Sequence, residues 1–195
     1  MPSLPGFSLR LPEWVGTFLT QNHFSFDSPE DRMRFVIALA EQNIRHGGGP
    51  FAAAVFTQES HELVAPGVNL VVPLNCSMLH AEMVAISLAQ QKMQTFDLGG
   101  ADIPEMELVT STEPCAMCMG AVPWSGIHRL VCGARDEDAR TVGFDEGAKP
   151  EHWEQELQKR GIQVIQDVCR EQAAEVLKNY LQTGGLLYNG RQATK

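Results

Sequence analysis

A layered α/β domain is what the order of apolar patterns along this 195-residue chain predicts. Three observations carry that expectation. Short apolar runs bounded by turn residues alternate with stretches of helical periodicity, several of the helical stretches carry end signals, and no apolar run approaches the ~20 residues that cross a bilayer. In order, a short helix is expected from Pro12 to Asn22, followed by a polar, aromatic connector. SPEDRMRFVIALAEQNIRHGGGP then reads as a strong helix: Ser28 caps it, Pro29 fits its first turn, acidic residues follow, and Gly47 to Pro50 end it. FAAAVFT and LVAPGVNLVV fit two strands of a hairpin, and HAEMVAISLAQQKMQ returns to helical spacing. MELVTST is a strand, CAMCMGAVPWSG a short helix broken near Pro123, and HRLVCGA another strand. PEHWEQELQKRG reads as an amphipathic helix, IQVIQDV as a strand, and REQAAEVLKNYLQ as a last helix ended by Gly184 and Gly185.

The totals fit one domain, because a chain of about 150 residues already buries roughly two thirds of its extended surface. A hydrophobic fraction of 44% and a charged fraction of 20% are those of a globular protein. The net charge of −9 argues against a polynucleotide partner, which would meet a basic patch. MPSLPGFSLRLPEWVG lacks a basic segment followed by an uninterrupted apolar stretch, so the expected location is the cytoplasm. Five cysteines in such a chain suggest reduced thiols rather than a disulfide framework.

Cys115 and Cys118 stand three apart where a helix should begin, so both sulfurs can meet one ion. The N–H groups and dipole of that helix end favour the thiolate that zinc requires. Taken alone, Pro-Cys-x-x-Cys leaves metal site, redox pair and coincidence open. His80 supplies a candidate third ligand at the start of another helix, although a lone histidine there is commonly a cap or a surface residue. Two Cys and one His leave a tetrahedral zinc one open position for water, as in catalytic sites. Glu82, two residues beyond His80, is placed to take a proton from that water.

HAE at His80 to Glu82 with EPCAMC at Glu113 to Cys118 resembles the zinc-dependent cytidine and deoxycytidylate deaminase superfamily, whose signature is H-x-E followed by P-C-x-x-C. The resemblance implies a three-layer αβα sandwich with a mixed central sheet over residues 28–182. By motif match it implies His80, Cys115 and Cys118 as ligands of one Zn²⁺ per subunit and Glu82 as proton shuttle. Residues 1–27 then form an N-terminal extension and 183–195 a tail that could be exchanged between subunits. A homodimer is expected from the family.

Within the superfamily, Asn69 in GVNLVV resembles the purine-binding Asn of guanine deaminases and tRNA adenosine deaminases. GFDEG at Gly143 to Gly147 resembles the segment of bacterial guanine deaminases that brings an acidic side chain to the leaving amine. That match gives Glu146 the catalytic role and Asp145 a place at the substrate, where an acidic loop is the plainer reading of DED and DE. Tyr188 in TGGLLYNGRQATK is a candidate aromatic closure of the pocket, and a polar tail is the alternative. The expected function is therefore hydrolysis of a free nucleobase, guanine to xanthine and ammonia, with related amino-heterocycles as chemical variants. A tRNA adenosine deaminase, or another nucleoside or nucleotide deaminase, is the alternative reading, and a non-catalytic zinc protein would need a fourth ligand that is not evident. Cys132, Trp124 and Phe51 are expected in the core, the last beneath the sheet with Ala52 to Ala54.

Overall fold

The computed structural model describes residues 6–191; the first five residues of the extension and the last four of the tail lie outside the described residues. Five strands form one mixed sheet in the order β2-β1-β3-β4-β5. They are β1 (Ala52–Thr57), β2 (Leu63–Val68), β3 (Met106–Thr112), β4 (Arg129–Ala134) and β5 (Gln163–Ile165). β1 runs antiparallel to both β2 and β3, whereas β3, β4 and β5 are parallel. The helices are α1 (Glu13–Gln21), α2 (Pro29–Arg45), α3 (Ala81–Met93), α4 (Ala116–Ser125), α5 (Asp136–Val142), α6 (Trp153–Gln158) and α7 (Arg170–Gln182).

The strands read as apolar runs because both faces are covered. Along β1, Ala52, Ala54 and Phe56 join the core under α2 and α7, while Ala53 and Val55 join the one under α3. β3 and β4 alternate in the same way, with Val109 and Val131 on the first face and Leu108, Leu130 and Cys132 on the second. This is the expected three-layer sandwich. α2 starts where the sequence indicated: Ser28 accepts from the Asp31 N–H at 3.1 Å while the Asp31 carboxylate accepts from the Ser28 N–H, with Pro29 in the first turn.

Side chains of the segment before α2 pack against this core. Val15 is buried, Trp14 stacks on His46 at 4.6 Å, and Phe24 and Phe26 pack edge-on against Phe35 of α2.

Several expectations change. DEDARTV is not a loop but α5, whose three acidic first-turn residues suit the positive end of a helix. Asp138 accepts from the Arg135 N–H at 2.8 Å, and Gly143 ends the helix with φ 106°. Pro123 does not break α4, because it sits in the last turn and removes one donor without interrupting the earlier bonds. β2 stops at Val68 instead of running to Val72; it tolerates Pro66 as an edge strand. The strand expected over residues 162–168 shortens to the three residues of β5 at the other edge. Trp124 is not in the core: it is 88% exposed on α4.

Candidate active site

The site lies at the carboxyl ends of the parallel strands β3 and β4, the usual ligand position in α/β sheets. The antiparallel hairpin brings two more segments there. Because Ala52 pairs with Val68 and Ala53 with Thr110, Phe51 just before β1 and Asn69 just after β2 emerge beside the end of β3.

Two helices begin at this edge. His80 is the N-cap residue of α3 and Cys115 that of α4, so Cys115 and Cys118 occupy the first turn of one helix and Glu82 the first turn of the other. β2 can approach the start of α3 because residue 67 is glycine; a methyl group there would meet the Ala81 carbonyl and the Ala85 backbone nitrogen. The nitrogen and sulfur atoms of His80, Cys115 and Cys118 lie within 4.8 Å of one another. His80 Nδ1 is 3.4 Å from Cys115 Sγ. Zn–N and Zn–S bonds of ordinary length subtend about 3.6 Å at a tetrahedral ion, so the donor set and its spacing fit zinc. Cys115 is held down at about 4, chiefly by the Cys118 thiol donating to it and then by His80, while the same contact and then burial push Cys118 up. One proton is thus shared between two sulfurs already poised as ligands.

Glu82 and Glu146 are each only 6% exposed. Burial raises Glu82 to about 7 and Glu146 to about 8, with the Cys115 thiolate adding to both. They line one cavity of ≈ 160 Å³ together with Asn69, His80, Cys115, Asp145 and Tyr188. Cys118 lies behind it, fully buried. Every residue singled out in the sequence therefore comes to this place, but not on equal terms. Asn69 is 1% exposed, and its Oδ1 accepts from the Val71 N–H at 3.3 Å. Asp145 is exposed, and its Oδ1 accepts from the Gly147 N–H at 2.9 Å, so that carboxylate is partly committed to its own turn.

Tyr188 reaches the cavity of its own chain. Its hydroxyl is buried without a hydrogen-bond partner among the described residues, and it lies so close to Gly49 that a methyl group there would collide with it.

The sequence reading missed much of the wall. Phe51, expected beneath the sheet, instead lines the cavity. Its ring packs edge-on against Phe144 at 4.8 Å, and Phe144 against Tyr188 at 5.4 Å. Asn189 also lines it, its amide donating to the Gly143 carbonyl at 2.8 Å and accepting from the Asp145 N–H at 2.9 Å, which latches the tail onto the loop that carries Glu146.

Residues 27–134 match the cytidine and deoxycytidylate deaminase zinc-binding region. The chain belongs to that family. It is a zinc-dependent hydrolase of the deaminase type, and its fold is shared with solved relatives. The structure reported for the guanine deaminase from Nitrosomonas europaea is 46% identical, with a TM-score of 0.85 over 91% of this chain and 97% of that one. A structure of the protein NE0047 in complex with 2,6-diaminopurine is 46% identical, with a TM-score of 0.86 over 95% and 97%. Among curated proteins, guanine deaminase of Bacillus subtilis is 32% identical over 126 residues, 64% of this chain and 72% of that protein. A tRNA-specific adenosine deaminase of Haemophilus influenzae is 27% identical over 157 residues, 78% of this chain and 83% of that protein.

Proposed function

We propose that the protein hydrolyses guanine to xanthine and ammonia, with one zinc per subunit held by His80, Cys115 and Cys118. The observation that carries this reading is the second buried carboxylate, Glu146, which lines the same cavity as the metal cluster and Glu82. Two proton transfers to different atoms of the base then have separate carriers. Similarity to the guanine deaminases of Nitrosomonas europaea and Bacillus subtilis supports the choice of base. So does the cavity, whose ≈ 160 Å³ falls below the roughly 300–1,000 Å³ of sites for drug-sized ligands and suits one fused ring system.

Phe51, Phe144 and Tyr188 supply aromatic walls to a flat base. Asn69 orients the base through its side-chain amide, and Asp145 contributes at the exposed side. Zinc, when bound, supplies a Lewis acid that lowers the pKa of water toward neutrality. Glu82 takes the proton of the attacking water as oxygen bonds to C2 and delivers it to N3 of the ring. Glu146, which burial keeps largely protonated near neutral pH, donates to the exocyclic nitrogen as the C2–N bond breaks. Glu82 then takes the proton of the hydroxyl group left on C2 as ammonia departs, which leaves the carbonyl of xanthine and supplies the proton that restores Glu146.

The wider reading is a cytoplasmic enzyme of purine metabolism working as a homodimer. The five free cysteines fit a reducing compartment. The exposed Met117 and Trp124, seven residues apart on α4, offer an apolar face for a second subunit. Residues 183–195 are assigned to the tail segment, whose glycine at 184 (φ 80°) supplies the hinge that exchange between subunits would need.

The test is ammonia release from the zinc protein incubated separately with guanine, cytosine, adenine, cytidine and a tRNA anticodon stem. Turnover of guanine with xanthine formed is expected. Silence on guanine with turnover of another substrate would keep the zinc chemistry and discard the reading of Gly143 to Gly147.

A further inference from the structure

Lys149 takes no part in the chemistry above, yet its surroundings are those of a functional group. Lysine is almost never buried without a partner. Here the side chain is 6% exposed and its ammonium meets four groups. Nζ donates to the Pro114 carbonyl at 3.2 Å, lies 3.0 Å from Asp136 Oδ1 and 3.5 Å from Glu113 Oε2, and sits over the Trp153 ring at 4.7 Å from its centroid. These partners come from different segments. Glu113 and Pro114 immediately precede Cys115, Asp136 opens α5, and Lys149 follows Glu146 by three residues.

The two loops also touch through backbone: the Ala116 N–H donates to the Glu146 carbonyl at 2.9 Å. That bond fixes the main chain of Glu146 on one side only. Before Glu146, Asn189 holds Gly143 and Asp145, and beyond it Lys149 is the buried charged group that ties the chain back to the cysteine loop. Arg140 adds a weaker brace, donating to the Gly147 carbonyl at 2.9 Å from an exposed position.

We propose that Lys149 is a positioning residue: its ammonium staples the loop bearing Glu146 to the loop bearing Cys115 and so fixes where the second carboxylate stands relative to the metal cluster. A compact cation with three donors suits this task, because a carbonyl and two carboxylates from separate segments can share it. Its charge also opposes the upward pull of burial on Glu146. The proposal rests on the reading of Glu146 as proton donor to the leaving amine.

The experiment is a double-mutant cycle of Lys149→Met and Glu146→Gln, read as kcat and KM for guanine, zinc content, and the rate of zinc transfer to a colorimetric chelator. A displacement of about 1 Å can cost about 100-fold, so Lys149→Met should lower kcat by about 10- to 100-fold. KM should stay within about twofold, with zinc content and transfer rate unchanged, because uniform binding and the metal are not what the staple controls. In the Glu146→Gln background the same change should cost less than about twofold, because the group it acts through is gone. Lys149→Arg, which keeps the charge but not the compact ammonium, should recover only part of the rate.

Equal losses in both backgrounds, loss of zinc, or an unchanged kcat would each overturn the proposal. If Lys149→Met does not fold, Lys149→Gln, whose amide still donates to Pro114, replaces it in the cycle; failure of both to fold makes the lysine a stability residue and overturns the proposal too. A wild-type protein inert on guanine sinks the substrate reading instead, and the cycle is then run on the base it does turn over. Should Glu146→Gln keep full turnover while Lys149→Met loses it, Lys149 acts by another route and the staple is refuted.

Discussion

Replacing Glu107 by glutamine removes one charge from the middle of the sheet and leaves the side-chain shape intact. Glu107 is fully buried in β3. Its Oε1 is in ion-pair contact with Nε of Arg32 from α2, which is 2% exposed, and its Oε2 is 3.3 Å from Nη1 of Arg129 at the start of β4. Arg32 also donates to the Phe26 carbonyl at 2.6 Å, which ties the segment before α2 to the same charge.

At 3.3 Å and an effective dielectric of 20, one such pair is worth about 5 kcal/mol before desolvation. Arg129 is partly exposed, and solvent screens its share. Arg32 has no water to turn to, so the cost of Glu107→Gln should be that of breaking a buried pair, about 3–5 kcal/mol. In a chain of this length that lowers Tm by about 6–20 °C. Urea and thermal unfolding in excess zinc would measure it without a contribution from metal loss. A double variant, Arg32→Met with Glu107→Leu, removes both buried charges and should recover most of the loss. A single-variant cost below about 1 kcal/mol, or a double variant no better than the single, would refute the reasoning.

Other outcomes follow from the site. Glu82→Gln should lower kcat by about 10²–10⁴ with zinc content unchanged, since Glu82 is not a ligand; a loss below about tenfold would remove it from the proton path. Asn69→Ala should lower kcat/KM for guanine by about 10- to 100-fold, and no change in steady-state kinetics would show that the amide does not touch the base. Gly49→Ala should push the Tyr188 ring off its seat and raise KM more than it lowers kcat, whereas Gly49→Ala with wild-type kinetics would mean that Tyr188 does not close the pocket. Acid should weaken the α5–α7 contact. Asp138 and Asp167 are held below the usual carboxylate range by Arg170 and Arg135 respectively, so their stabilisation is present above about pH 4 and drains as pH falls through the lowered values. Arg170→Ala should flatten the fall of Tm with acidification, and a slope identical to wild type would contradict it.

The strongest parts of the sequence reading were those with a local physical cause. Ser28, Asp31 and Pro29 announce the start of α2 because capping is settled within four residues. His80, Glu82, Cys115 and Cys118 announce the metal site because few chemistries need that set in that order. α5 was hidden because Asp136, Glu137 and Asp138 look the same whether they solvate a loop or neutralise a helix end. The aromatic wall was hidden for a different reason. Phe51 and Phe144 have no periodicity that separates a pocket lining from a core, and their meeting with Tyr188 depends on sheet register and on the return of the tail. Trp124 was misplaced because a base rate for tryptophan carries no information about which face of α4 is covered. Nothing in the sequence marks Asn189 or Lys149, whose roles exist only through contacts made across the fold.

The antiparallel hairpin has an evolutionary consequence. Phe51 enters the cavity just before β1 and Asn69, His80 and Glu82 after β2, whereas Cys115 and Glu146 enter from connections following β3 and β4. Each of these two stretches of chain thus supplies both a group that meets the base, Asn69 or Phe144, and a group that meets the reaction, Glu82 or Glu146. Recognition and hydrolysis are therefore inherited together, and a lineage that changes its base must do so by point substitution within a frame that both stretches hold fixed.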